Sequence, residues 1–115
     1  MDMSVTELDG PIVCVRLQGR LDAPGADRIG VRFTAGVVAR QMHAIVDLSG
    51  VSFVASMGLR LLISAARSVS QKGHVLALFG ANEAVQGVLD DVALDQIMPI
   101  VATEAEAIAA VTAAG

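Results

Sequence analysis

The chain has 115 residues and a formal net charge of −4; it is 54% hydrophobic but only 3% aromatic, and it carries one cysteine. That length suits one domain with a single substantial core, and without Trp or Tyr the core has to be built from Val, Leu, Ile, Ala and Met with three Phe. An internal disulfide is excluded, the eight dispersed basic residues argue against a nucleic-acid partner, and the longest charge-free stretch, Leu48 to Leu59, has twelve residues against the ~20 that a membrane-spanning helix needs.

The chain opens with a predicted hairpin: Ser4 to Leu8, the turn signal Asp9-Gly10-Pro11, and the β-branched run Ile12 to Gln18. Cys14 sits in that apolar alternation and reads as a buried small hydrophobe. Gly19-Arg20-Leu21-Asp22 ends the second strand, and Pro24 to about Ala39 is a helix weakened by Gly25, Gly30 and Gly36. Ala44 to Leu48, ended by Ser49-Gly50, reads as a central strand buried on both faces. Val51 to Ala55 is strand-like and leads to the most legible element, a helix from Met57 to about Gln71. Arg60, Ser64, Arg67, Ser68 and Gln71 share one face of it, and Leu59, Leu62, Ile63, Ala66 and Val69 cover the other. Lys72-Gly73 ends it, and His74 to Phe79 is the next strand. Asn82 is placed to cap a short helix through Leu89, and Ile97 to Val101 reads as an edge strand because Pro99 cannot donate to a ladder. Thr103 and Glu106 form a capping box for a last helix to about Thr112, and the small-residue tail Thr112 to Gly115 is expected to fray. The order ββαβαβαβα implies one α/β domain over residues 1–115, with parallel crossovers behind an antiparallel first strand.

Most catalytic chemistry lacks its residues. There is no glycine-rich loop followed by Lys and a hydroxyl, and no dinucleotide fingerprint after a strand. A nucleophile elbow would need Gly two residues before Ser56, where Val54 stands. His43 and His74, each at a predicted strand entry without a partner at metal-ligand spacing, read as solvated residues, and Asp90-Asp91 as a solvated turn. No catalytic residue, metal or cofactor is implied. The N-terminus, Met1-Asp2-Met3-Ser4, lacks the basic start and apolar run of a secretory signal, so the expected location is the cytoplasm.

Ser56 stands between the strand-like segment and the helix. There a serine can act as an N-cap, worth about 1 kcal/mol, and its hydroxyl also lies where a helix dipole and free N–H groups favour an anion. Both roles stay open on local sequence. Gly19-Arg20-Leu21-Asp22, followed by Asp47-Leu48-Ser49-Gly50-Val51-Ser52-Phe53-Val54-Ala55-Ser56-Met57-Gly58-Leu59, resembles the STAS domain of sulfate transporters and bacterial anti-sigma-factor antagonists. The resemblance covers nearly the whole chain. It implies a mixed, mostly parallel sheet with helices mainly on one face, and a non-catalytic regulator that works by partner switching. The unphosphorylated antagonist binds an anti-sigma factor that is also a serine kinase of the histidine-kinase-like ATPase type; phosphorylation ends the binding and a PP2C-type phosphatase restores it.

The resemblance puts the phosphorylated serine on Ser56, the glycine after it on Gly58 beside Met57, and neighbouring acids on Asp22 and Asp47. Ala55 departs from the pattern, which often has Asp there. The exposed helix face, Arg60, Ser64 and Arg67, is the expected docking surface. An alternative within the same fold is an accessory subunit of a lipid-transport ABC complex; a Ser56 hydrolase is disfavoured by the missing elbow.

Overall fold

The computed structural model describes residues 1–114 and contains one five-stranded sheet in the order β1-β2-β3-β4-β5. β1 (Asp2–Leu8) pairs antiparallel with β2 (Ile12–Leu21), while β3 (His43–Val54), β4 (Leu76–Phe79) and β5 (Ile100–Val101) follow in parallel. The helices are α1 (Ala23–Val37), α2 (Ser56–Gln71), α3 (Glu83–Asp91) and α4 (Glu104–Ala114), with a 3-10 turn at Leu94–Gln96. The expected element order holds, and β3 is the central strand. Within the predicted tail, Thr112 to Ala114 complete α4, and Gly115 lies outside the described residues.

Parallel strands laid down side by side in one direction, joined by crossovers of one hand, carry every crossover helix to the same face. α1, α2 and α3 therefore share the larger core, where Val13, Val15, Val46 and Leu78 meet Ile29, Phe33, Leu62 and Leu89. Each fully buried Leu, Ile or Phe there contributes roughly 1.5–3 kcal/mol relative to exposure. α4 follows the last strand and is not a crossover, so it is free to cover the other face. There Ala107 and Val111 close over Ile12, Cys14, Ile45 and Phe79. Cys14 is buried as expected, and burial raises its thiol pKa.

Several strand limits differ from the sequence reading, each for a hydrogen-bonding reason. β3 does not stop at Ser49-Gly50, because β2 runs on beside it and pairs Gln18 with Gly50 and Gly19 with Val51 after one register shift, and Leu21 with Val54 after a second. β4 starts later than His74, since the His74 N–H donates to the Val69 carbonyl and the Val75 N–H to Nδ1 of His43. β5 shrinks to two residues because the N–H groups of Ile97 and Met98 both donate to Leu94 and Pro99 has none. The caps at Asn82 and Thr103 form as read: Val85 N–H donates to Asn82 Oδ1 at 2.8 Å, and Glu106 N–H to Thr103 Oγ1 at 3.2 Å.

The histidines are not a solvated pair. His43 is 8% exposed, accepts the Val75 N–H at 3.1 Å, and packs edge-to-face on His74 with ring centroids 4.9 Å apart. Burial, and then the neighbouring His74, lower the pKa of His43.

Two glycines fix how the helices begin. A Cβ on Gly25 of α1 would lie 2.1 Å from the Arg20 carbonyl oxygen, and one on Gly58 of α2 would lie 2.3 Å from the Leu21 carbonyl oxygen. Gly58→Ala should therefore lower stability by about 3 kcal/mol, the upper end of overpacking costs. Gly30→Ala, where a Cβ meets nothing within 4 Å, should raise it by about 0.5–1 kcal/mol; urea denaturation of the two variants reads both. A second expectation concerns pH. The unfolded chain binds a proton at His43 more readily than the folded one, so stability should fall as pH drops through the ordinary histidine range near 6.5. Melting temperatures between pH 7.5 and 5.5 should show that slope, and His43→Gln should flatten it.

Candidate functional site

β2 and β3 end together, and the site is built where they do. Leu21 pairs with Val54, and the Ala55 N–H donates to the Leu21 carbonyl at 3.0 Å. Immediately after these pairs, β2 turns into α1 through Asp22 and β3 turns into α2 through Ala55, so the starts of the two helices lie side by side. Asp22 is the N-cap of α1: its Oδ1 accepts the Gly25 N–H at 2.9 Å and its Oδ2 accepts Arg20 Nε at 3.2 Å. The Gly25 amide, and then Arg20, hold the Asp22 carboxyl below its usual pKa.

Ser56 does not cap α2. The N-cap is Ala55, in extended backbone, with no side-chain hydrogen bond, and Ser56 is the first helical residue. The Ala55 N–H is held by Leu21, so Ala55 stays in extended backbone as the last residue before the helix, which begins at Ser56, one residue earlier than expected. The Leu59 N–H closes the first turn onto the Ala55 carbonyl at 3.0 Å. Ser56 is exposed, and its hydroxyl has no hydrogen-bond partner among the described residues. The positive end of the helix dipole is thus left without a side-chain acceptor beside a free hydroxyl.

Of the other expected site residues, Met57 and Gly58 complete the first turn of α2, with Met57 44% exposed and Gly58 buried against Leu21. Arg60, Ser64 and Arg67 are all exposed along the same helix. Asp22 lies beside Leu21, and so beside the Ala55–Ser56 junction. Asp47 is elsewhere: its strand partner, Arg16, precedes Leu21 by five residues, which is ~17 Å along a strand. Its Oδ2 accepts Arg16 Nη1 at 2.7 Å, and its Oδ1 accepts the Ser49 N–H at 2.9 Å. Burial pushes the Asp47 carboxyl up, but the Ser49 amide and Arg16 outweigh it and keep its pKa below the usual range. Arg16 also donates to Glu104 Oε1 at 2.8 Å, so the triad ties β2, β3 and α4; Glu104 first, then Asp47, raise the Arg16 pKa.

Two residues that the sequence reading quoted without a role belong to the site. Phe53 is 40% exposed next to the Ser56 turn, and the Arg20 guanidinium lies 4.3 Å over its ring. Their cross-strand pairing makes this contact, and the usable signal was an aromatic residue at a polar strand end in a chain with only three Phe. The histidines stand at the other end of β3, since His43 opens that strand and Ser56 follows it. Neither is placed to activate the Ser56 hydroxyl. No group of three or more His, Cys, Asp or Glu able to hold a metal occurs among the described residues, and no described helix is long and apolar enough to cross a membrane.

The chain is 31% identical over 98 residues to the anti-sigma F factor antagonist of Paenibacillus polymyxa, covering 84% of each chain. Its fold matches the crystal structure of an anti-sigma factor antagonist from Mycobacterium paratuberculosis with a TM-score of 0.87, at 24% identity over 96% of this chain and 93% of that one. It also matches the phosphorylated form of the Bacillus cell fate determinant SpoIIAA with a TM-score of 0.70, at 22% identity over 94% of this chain and 97% of that one. The STAS domain family model matches residues 3–107, and with the sheet order, the one-sided crossover helices and the β3–α2 junction described above, the chain belongs to the STAS domain family.

Proposed function

We propose that this protein is a cytoplasmic anti-sigma-factor antagonist that works by partner switching, with Ser56 as its phosphorylation site. One observation carries the reading: Ser56 is an exposed serine with a free hydroxyl at the uncapped N-terminus of α2. The relative named as an anti-sigma F factor antagonist, and the phosphorylated form known for a protein of the same fold, support it. The unmodified protein binds an anti-sigma factor that is also a serine kinase, through the Ser56 turn and the exposed α2 residues Arg60, Ser64 and Arg67. Asp22, Met57 and Gly58 border the acceptor, and Asp47 acts at a distance by holding β2 and β3 in register. A PP2C-type phosphatase resets the switch.

A phosphate adds about −1.5 to −2 charges, and at the start of a helix the dipole favours it by about 0.3–1 kcal/mol. The modified protein therefore stays folded. Inside an interface, an unpaired anion costs several kcal/mol, and about 1.4 kcal/mol is already a tenfold loss of affinity.

The test is phosphotransfer. Incubated with ATP and a histidine-kinase-like ATPase from the same genome, the protein should gain one phosphate, located on Ser56 by mass spectrometry. Phosphate on another residue, or none, overturns the reading. Ser56→Ala should bind the ATPase as well as the wild type, while the phosphorylated protein should bind at least about tenfold more weakly. Arg60→Ala and Arg67→Ala should weaken binding while changing stability by no more than about 0.5 kcal/mol, as exposed sites do. Co-purification with an ABC ATPase, together with full function in Ser56→Ala, would favour the transport-complex alternative.

A further inference from the structure

Charge on this chain is sorted by place. Arg16, Arg20 and Arg40 each meet a carboxylate, of Asp47 and Glu104, Asp22, and Glu7 respectively. The other five cations, Arg28, Arg32, Arg60, Arg67 and Lys72, lie on α1, on α2 or at the residue after it, and none forms an ion pair among the described residues. Arg32 and Lys72 do donate to the carbonyls of Met3 and Val38, but those contacts leave their charge unneutralised. Asp27 is the single acid in the two helices. On a chain of net charge −4, α1, α2 and the residue after it therefore carry five cations against one acid.

An open, mainly apolar groove of about 820 Å³ lies between the same helices, lined by Gly30, Val31 and Met57 among others, and its charged lining residues are Arg60 and Lys72 against the single acid Asp27. Val31 of this lining is 84% exposed. The lining runs from Ala23 at the start of α1 to Ala39, two residues past its end, ~24 Å at helical rise, which accommodates a helix of about 16 residues. Small side chains between two helices let a third helix approach closely and set its ridge in the trough.

We infer that the α1–α2 groove docks an acidic amphipathic helix of the protein's partner, with Arg60 pairing to a carboxylate on that helix. The groove reaches the Ser56 turn through Met57 and Arg60, and this gives phosphorylation a second line of action, which rests on Ser56 being the modified residue. Ser56 and Arg60 are four residues apart on α2, with the anion N-terminal, the favourable order for an i,i+4 pair at ~6 Å. A phosphate on Ser56 captures the Arg60 guanidinium and repels the incoming acidic helix. One modification thus removes the docking cation and adds a like charge.

The test needs no kinase. The full chain is titrated, by backbone amide chemical shifts, with a helical peptide of about 16 residues carrying a Leu stripe flanked by Glu, and with a twin in which every Glu is Lys. The acidic peptide should bind saturably, shift amides of α1 and the first half of α2, and bind at least tenfold more weakly to Val31→Asp and to Gly30→Gln, two open positions where the variants should stay folded. Equal binding of the Lys twin, shifts confined to the β1–β2 surface, or wild-type affinity in both variants overturns the proposal. So does Val31-dependent binding to phosphatidylglycerol vesicles, or Val31-dependent self-association in sedimentation, in place of peptide binding. With phosphoserine placed at position 56 by genetic encoding, peptide affinity should drop at least tenfold, and Arg60→Gln should narrow that drop to about threefold; an unchanged drop removes Arg60 from the switch. Failure of phosphotransfer with intact peptide binding would overturn the phosphorylation reading alone, and the reverse result would overturn only the groove.

Discussion

Everything at the site depends on the close contact between two helix starts and two consecutive backbone carbonyls at the end of β2. Gly25 sits against the Arg20 carbonyl and Gly58 against the Leu21 carbonyl, at separations that leave no room for a Cβ. The Leu21 carbonyl also accepts the Ala55 N–H, and Leu21 itself is fully buried. One short stretch of β2 therefore sets where α1 begins, where α2 begins and how far apart they run. Ser56 is exposed because that contact seats Gly58 inward, and in a helix residues two apart point to different faces.

The same stretch links the sheet to the electrostatics of the surface. Arg20 and Asp22 neutralise each other at the rim, and Arg20 also covers Phe53. Farther down the strands the Arg16–Asp47–Glu104 triad binds α4 to the sheet. It is partly exposed, so its stabilisation is modest, but it consumes a cation on the sheet side and holds β2 beside β3 ahead of their register shifts. Acids outnumber bases in this chain, yet the acids paired with arginine gather at the sheet and its rims, while the cations left over stand on α1 and α2. An excess of cations on two helices thus emerges on a protein of net negative charge without any run of like charges in the sequence.

If Ser56 is modified as proposed, the fold lets the switch operate without moving the core. The first turn of α2 has no side-chain cap, so an anion at Ser56 displaces no existing hydrogen bond. Behind it, Leu62, Ala65, Ala66 and Val69 anchor the helix in the larger core, so modification changes the charge of the surface and leaves the packing in place.

The amino-acid sequence by itself determined the element order, the central strand, the buried Cys14, the caps at Asn82 and Thr103 and the exposed row Arg60, Ser64 and Arg67. All of these follow from local periodicity, capping chemistry and burial pattern, which act over a few residues. The tertiary structure alone decided the rest. Ala55 replaced Ser56 as the N-cap because a strand partner far away in sequence accepts its N–H. β3 outran Ser49-Gly50 because β2 supplied a ladder beside it, and His43 became a buried acceptor because the Val75 N–H turned to it. Asp47 and Asp22, equivalent as turn acids in the sequence, were separated by strand register. The sorting of paired and unpaired cations likewise needed the folded chain, because an ion pair depends on distance in space, and hydrogen-bond competition between distant segments leaves no periodic trace in the sequence.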